Sequence, residues 1–126
     1  MIAGIGTDIV DRQRIEKGIA RFGERFARRL LSDTEYHDYR QSQHPAAFLA
    51  RRFAAKEAVV KALGTGFSRG LRPHHISVEH DGAGKPQVKL LGRAMEIAAA
   101  SGAGTIHLSI ADERRYALAF VTITVK

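Results

Sequence analysis

The 126-residue chain carries 20 Lys and Arg against 13 Asp and Glu, a formal net charge of +7. The absence of cysteine excludes disulfides and thiolate metal sites, and no apolar run is long enough to span a membrane. This length predicts one domain over residues 1–126. The basic charge indicates an acidic partner, although it also serves solubility. The N-terminus MIAGIGTDIV lacks the basic start of a signal peptide, and we expect a cytoplasmic protein.

Residues 1–10 predict a buried β-strand, in which Gly4 and Gly6 allow another backbone to approach closely. Asp8 lies inside this apolar run, where a carboxylate needs a partner. It could cap the helix that follows, but Asp11 is better placed for that role. We therefore expect Asp8 to be a functional ligand.

Residues 12–29 predict an amphipathic helix that breaks near Gly23, because apolar side chains recur at helical spacing. A basic stripe runs beside the apolar one. It consists of Arg14, Arg21, Arg25 and Arg28. This stripe is either a solvated surface or a docking surface for an acidic partner.

A capping box of Ser32 and Glu35 opens a short helix that ends near Gln41. The central helix of the chain then begins at Pro45, which suits a first turn, and stops at Gly64, which suits the left-handed residue after a last turn.

The central helix is apolar or small around most of its circumference and is therefore predicted to be buried. Its charged residues must then be paired or bound to something. They are Arg51, Arg52, Lys56, Glu57 and Lys61. Glu57 and Lys61 lie one turn apart. They form either an ordinary i,i+4 salt bridge or a pair that holds a metal ion and a phosphate.

The second half of the chain begins with a Gly-rich, basic loop over residues 64–75, long enough to close over a ligand. After it the pattern predicts strands at 76–80, 85–91, 105–111 and 116–125 and a short helix at 92–101. Helices gather early and hairpins late, which predicts an α+β fold with a long central helix packed on a largely antiparallel sheet. His107 points away from the face of Leu108, and a lone histidine is more often structural than catalytic.

Asp8 and Glu57 come from separate elements, and two carboxylates plus substrate phosphates are a usual way to hold Mg²⁺. Lys61 would reach a phosphate oxygen, and Arg52 and His107 could take another phosphate. Walker A, kinase, serine-hydrolase and zinc-peptidase motifs are absent. The residues predict a small Mg²⁺-dependent enzyme that acts on a phosphate-bearing substrate. A basic nucleic-acid-binding module is the alternative.

Four segments carry a resemblance to a known family. They are residues 4–11 with Arg14-Ile15, residues 52–58 with 61–66, Gly84-Lys85-Pro86, and residues 107–110 with Asp112-Glu113. In this order they resemble the motifs of the bacterial holo-[acyl-carrier-protein] synthases, the small class of 4′-phosphopantetheinyl transferases.

The resemblance implies transfer of 4′-phosphopantetheine from coenzyme A to a serine of apo acyl carrier protein, with release of adenosine 3′,5′-bisphosphate, in fatty acid biosynthesis. It implies Mg²⁺ held by Asp8 and Glu57, with Lys61 and His107 completing the catalytic set. The proton acceptor is either a metal-associated water, which we favour, or His107. The residues implied to bind coenzyme A are Arg52, Lys61, Gly64, Lys85, Pro86 and His107.

The resemblance also implies that Arg14, Arg21 and Arg25 dock the acidic carrier protein. It further implies a homotrimer with sites between subunits, and neither nucleic acid nor membrane as a partner. Arg51 stands where the family commonly has glycine, and Ala111 where it usually has a small hydroxyl residue. An alternative interpretation is a non-catalytic homologue that acts as an interaction partner. Such a protein would bind coenzyme A without transferring the phosphopantetheine group.

Overall fold

The computed structural model describes all 126 residues and shows the predicted α+β fold. The helices are α1 (Arg12–Phe22), α2 (Glu24–Leu30), α3 (Asp33–Gln41), α4 (Pro45–Leu63) and α5 (Gly92–Ser101). The strands are β1 (Ile2–Asp11), β2 (Ile76–His80), β3 (Pro86–Leu90), β4 (Ala103–Asp112) and β5 (Tyr116–Val125). None of the helices is both long and apolar enough to cross a bilayer.

The strands form two antiparallel sheets. The larger has the order β1-β5-β4, so the C-terminal strand lies between the N-terminal strand and β4. The smaller is the hairpin of β2 and β3. Helix α4 packs along the larger sheet, and its apolar residues form the centre of the core. This is the predicted packing of a long central helix on an antiparallel sheet.

Two glycines of β1 make the close packing against α4 possible. A Cβ placed on Gly4 would lie 2.0 Å from the Ala62 carbonyl oxygen, and one on Gly6 would lie 1.9 Å from that of Ala58. Any side chain at these positions would collide with the helix backbone. The strand therefore approaches the alanine face of α4, and Asp8 is brought beside the end of the helix.

Local signals define most helix ends as predicted. The Asp11 side chain caps α1 by accepting from the Gln13 backbone N–H, and Gly23, with φ of +63°, separates α1 from α2. The capping box of Ser32 and Glu35 is present, and Gly64 closes α4 in the left-handed region.

Three features differ from the prediction. Strand β1 is not buried as a whole: Ile5 is 60% and Ile9 63% exposed, because only one face of the strand packs on α4 and the other faces away from the helix. Strand β4 begins at Ala103 rather than at Thr105, because an irregularity between Ala103 and Ile106 lets the chain pair with β5 directly after α5. The long loop after α4 also contains a single 3₁₀ turn, Pro73–His75, that the sequence pattern did not indicate.

Candidate active site

Asp8 and Lys61 meet where β1 passes the C-terminal end of α4. The Lys61 Nζ donates to Asp8 Oδ1 over 2.9 Å and to the Thr7 carbonyl oxygen over 3.1 Å. The Asp8 side chain is 16% exposed and the Lys61 side chain 51%. Lys61 therefore pairs with a residue from another element, and the simple salt bridge to Glu57 is wrong.

Glu57 stands one turn before Lys61 on α4 and is half-buried. Burial raises the pKa of Glu57 above its ordinary value, and the charge of Asp8 raises it further, while Lys61 and Arg14 act in the opposite direction. The effect of Asp8 on this pKa indicates that the two carboxylates are close enough to repel each other, although burial is the larger cause of the shift.

This donor set fits a magnesium ion. It consists of two carboxylates without histidine or cysteine, and no group of three or more acidic or histidine side chains stands together anywhere in the chain. Magnesium is usually held by one or two carboxylates, with waters and substrate phosphates as its remaining ligands. A divalent cation would also offset the repulsion between Asp8 and Glu57, which adds to the effect of burial on the pKa of Glu57.

A cavity in another part of the molecule brings together three other predicted site residues. Lys85 and Pro86, at the start of β3, and His107, on β4, line a cavity of about 450 Å³ between the hairpin and the larger sheet. A cation, a proline ring and an imidazole around one cavity suit a phosphate-bearing nucleotide.

The two groups of residues lie on opposite faces of the larger sheet. Asp8 is on the α4 side, two residues after Gly6, which touches the α4 backbone. His107 alternates with the buried Leu108 and is exposed on the other side. The strand β5 also lies between their strands. One chain therefore does not bring His107 to the Asp8–Glu57 pair.

A buried ionic network lies on another side of α4. The Lys56 Nζ donates to Glu35 Oε1 over 2.6 Å, to the Pro73 carbonyl oxygen over 3.1 Å and to the Ile76 carbonyl oxygen. Burial lowers the pKa of Lys56, and Glu35 opposes this shift. A charged Lys56 on a buried helix was predicted to need a partner. The sequence did not indicate Glu35 as that partner, because the Glu35 side chain already had a role in the predicted capping box.

Arg52 belongs to the same network. Its Nε lies 3.7 Å from Glu35 Oε2, and its guanidinium carbon lies 4.3 Å from the centre of the Phe48 ring. The Nε is buried without a hydrogen-bond partner. The Arg52 side chain is only 5% exposed and does not line the cavity of Lys85 and His107, so it would have to leave this network to contact coenzyme A, and that contact stays a prediction.

The predicted docking arginines follow α1 and α2 along the surface. Arg14, Arg21 and Arg25 are all exposed. Arg14 acts on the pKa of Glu57, so this row begins beside the carboxylates. Arg21 lies two helical turns further on, and the chain passes Gly23 before it reaches Arg25.

Arg51 and Gly64 are the remaining two residues that the sequence singled out on or beside α4. The Arg51 guanidinium donates to Asp112 Oδ2 over 3.2 Å and so joins α4 to the end of β4. Gly64, with φ of +80°, ends α4 about one turn after Lys61 and opens the Gly-rich loop.

Comparison with known proteins shows the family to which the chain belongs. Residues 4–121 match the family described as the 4′-phosphopantetheinyl transferase superfamily. The chain is 50% identical to a holo-[acyl-carrier-protein] synthase of Vibrio cholerae over 98% of each chain. It superposes on the crystal structure of the Neisseria meningitidis holo-[acyl-carrier-protein] synthase with a TM-score of 0.91 and 41% identity, over 98% of each chain.

A third relative was crystallised with a ligand. The holo-(acyl-carrier-protein) synthase of Bacillus anthracis, in complex with CoA (3′,5′-ADP), matches with a TM-score of 0.81 and 34% identity. The match covers 100% of this chain and 99% of that one.

The chain belongs to the 4′-phosphopantetheinyl transferase superfamily. Within it, the predicted class of enzyme, that of the holo-[acyl-carrier-protein] synthases, is confirmed by relatives of this identity over nearly the full chain.

Proposed function

We propose that the protein transfers 4′-phosphopantetheine from coenzyme A to a serine hydroxyl of apo acyl carrier protein in a Mg²⁺-dependent reaction. Adenosine 3′,5′-bisphosphate is released, and the product supports fatty acid biosynthesis. The observation that carries the proposal is the meeting of Asp8, Glu57 and Lys61 in a chain whose relatives are named holo-[acyl-carrier-protein] synthases. Coenzyme A stands in the name of one solved relative. The cytoplasmic location stays a prediction.

In this reaction the serine oxygen forms a bond to the phosphorus that bears pantetheine, and the bond from that phosphorus to the bridging oxygen of the diphosphate breaks. Charge grows on the departing phosphate, and catalysis depends on positioning and electrostatic stabilisation. Asp8 and Glu57 would hold Mg²⁺, which neutralises diphosphate charge when bound. Lys61, half-exposed on its flexible stem, would turn from Asp8 toward a phosphate oxygen.

The cavity of Lys85, Pro86 and His107 is our candidate for the nucleotide end of coenzyme A. Because His107 and Asp8 lie on opposite faces of the sheet, His107 would reach the Asp8–Glu57 pair only from a neighbouring subunit. It would then bind a phosphate there or accept the serine proton. Gly64 would let the loop after α4 approach the ligand.

We propose that the subunits associate as a homotrimer through the exposed face of the larger sheet. This face carries large apolar side chains, with Ile5 60%, Ile9 63%, Leu118 43% and Phe120 47% exposed. The strand register places Ile9 opposite Leu118, so they form one patch. An apolar patch of this kind is typical of a subunit interface. His107 lies on the same face, which supports sites shared between subunits.

The carrier would dock along the arginine row, beginning at Arg14 beside the carboxylates and continuing through Arg21 and Arg25. Acidic helices of the carrier complement this basic row.

The test is the intact mass of an apo acyl carrier protein after incubation with the protein, coenzyme A and Mg²⁺. The expected result is a gain of one phosphopantetheine that is lost with EDTA and with Glu57→Gln. Glu96→Gln, an exposed carboxylate on α5, is the matched control and keeps activity. No gain with several carrier proteins, from a folded protein that still binds coenzyme A, would indicate a restricted carrier or the non-catalytic homologue, and no gain without coenzyme A binding would refute the transferase activity.

A further inference from the structure

We propose that a basic pocket between α2 and the Pro73–His75 turn binds a second acidic segment of the carrier protein, outside the helix that meets Arg14 and Arg21. This inference rests on the proposed function and deepens it, because the pocket would help determine which carriers are accepted. The pocket has a volume of about 630 Å³. Its charged lining consists of Arg25, Arg28, Arg29, Arg72 and His74.

The pocket is strongly basic and carries no compensating charge. Four arginines and a histidine line it, and it has no acidic lining residue. None of these arginines forms an ion pair, whereas other arginines of the chain do so, including Arg12 with Glu16 and Arg115 with Asp11. Like charges held together repel, and an acidic partner offsets that repulsion.

One of these cations, Arg28, is held in place by an aromatic ring. The Arg28 guanidinium carbon lies 4.6 Å from the centre of the Tyr36 ring, and the Tyr36 hydroxyl donates to Glu24 Oε2 over 2.8 Å. A stacked guanidinium loses less entropy when it binds an anion.

On the opposite wall, the turn that carries Arg72 and His74 is fixed by hydrogen bonds. The Arg72 backbone N–H donates to His75 Nδ1 over 3.0 Å, and the His75 N–H donates back to the Arg72 carbonyl over 3.0 Å. The Pro73 carbonyl accepts from the buried Lys56 over 3.1 Å. The backbone of this wall is therefore held by hydrogen bonds within the turn and to α4.

The pocket continues the proposed docking surface, which is why we assign it to the carrier. Arg25 and Arg29 also line an adjacent groove of about 390 Å³, whose apolar residues are Phe22, Phe26 and Leu30. An acidic amphipathic helix would cover that groove and carry the next part of the same partner into the basic pocket. The pocket arginines are all exposed, which suits a protein surface rather than a small desolvated anion.

The experiment compares Arg28→Glu, Arg72→Glu and their double variant with Arg114→Glu, an exposed arginine in the β4–β5 turn. Steady-state kinetics give the KM for the carrier, the KM for coenzyme A and kcat, and circular dichroism checks folding. Each single reversal is expected to raise the carrier KM about 3- to 10-fold at low salt, with a smaller effect at high salt. We expect these variants to leave the KM for coenzyme A and kcat unchanged. The Arg114→Glu control is expected to leave all three kinetic constants unchanged.

Fluorescence anisotropy of a labelled apo carrier, without coenzyme A, measures docking independently of chemistry. Weaker binding by the double variant supports the pocket even where no transfer occurs, so failure of the proposed function remains distinguishable. An unchanged carrier affinity in the folded double variant overturns the proposal. A rise in the coenzyme A KM alone also overturns it, because the pocket would then hold a phosphate of the small substrate.

Discussion

Lys56 and Glu35 form an ion pair in which both side chains are completely inaccessible to solvent, with 2.6 Å between Nζ and Oε1. The remaining acceptors and donors are also used: Glu35 accepts from the Ser32 and Val78 backbone N–H groups, and Lys56 donates to two carbonyls. The pair therefore ties α3, α4 and the start of β2 together.

Replacement of Lys56 by methionine should be strongly destabilising, because it leaves the Glu35 charge buried without its partner. We expect a loss of about 3–5 kcal/mol in the free energy of unfolding, measured by urea denaturation. The double variant Glu35→Gln/Lys56→Met removes both charges and should recover part of this loss. A single variant that costs less than about 1 kcal/mol would show that the network contributes little.

The same pair shows where prediction from the sequence ends. The limits of α4 were predictable because Pro45 and Gly64 act locally on the backbone. The partner of Lys56 was not, because Glu35 lies 21 residues away and already had a local role in the capping box. The same holds for the ion-pair partner of Lys61. Helical spacing indicated Glu57, whereas the tertiary structure places Asp8 against the Lys61 ammonium.

The sequence indicated the residues of the candidate site but not their arrangement. A carboxylate within an apolar strand and charges on a buried helix pointed to Asp8, Glu57 and Lys61, whose roles stay a prediction. Alternation placed His107 opposite the face of Leu108. Its position relative to Asp8 depends on the strand order β1-β5-β4, which no local pattern specifies.

Substitution of Gly6 by alanine should displace β1 from α4, because the new Cβ would lie 1.9 Å from the Ala58 carbonyl oxygen. We expect a loss of about 1–3 kcal/mol in unfolding free energy, and a larger KM for Mg²⁺ because Asp8 lies two residues further along the strand. Gly82→Ala is the matched control, since a Cβ there meets nothing within 4 Å. Equal effects of the two substitutions in thermal unfolding and kinetics would contradict this account.

Glu57→Gln should abolish transfer and yet stabilise the metal-free protein at neutral pH. The folded-state pKa of Glu57 is raised by burial and by Asp8, so its contribution to stability is present below its ordinary value of 4.5 and is lost as pH rises through the higher folded pKa. Glutamine carries no charge, so the variant avoids the cost of a buried, ionised carboxylate at this position. In EDTA we expect the Tm to rise by about 1–3 °C at neutral pH, with the difference closing in acid.

Magnesium supplies the second readout for the Glu57→Gln variant. Magnesium chloride should raise the Tm of the wild-type protein, because a ligand bound only by the folded state stabilises it, and should leave the variant unchanged. An equal response of both proteins to magnesium would argue against Glu57 as a ligand.

The Arg51–Asp112 ion pair should make a small contribution, because both side chains are about one-third exposed, at 31% and 39%. Arg51→Gly would introduce the glycine that the family resemblance implies at this position, but glycine also lowers helix propensity, so Arg51→Ala is the cleaner change. A double-mutant cycle of Arg51→Ala and Asp112→Asn should give a coupling energy of about 0.2–1 kcal/mol. An unchanged coenzyme A KM would assign Arg51 to structure, and a raised one to substrate binding.

Charge placed on the exposed sheet face should disrupt the proposed homotrimer. Phe120 lies on the central strand β5, opposite Thr7 on one side and Ser109 on the other, and Phe120→Glu would bury a carboxylate in any interface formed there. We expect light scattering after size exclusion to give a trimer for the wild-type protein and a monomer for the variant, with transfer lost because His107 no longer reaches a neighbour's carboxylates. Met95→Glu, equally apolar and 57% exposed on α5, should keep the trimer. A trimer that survives Phe120→Glu would place the interface elsewhere, and a wild-type monomer with full activity would require one chain to supply the whole site.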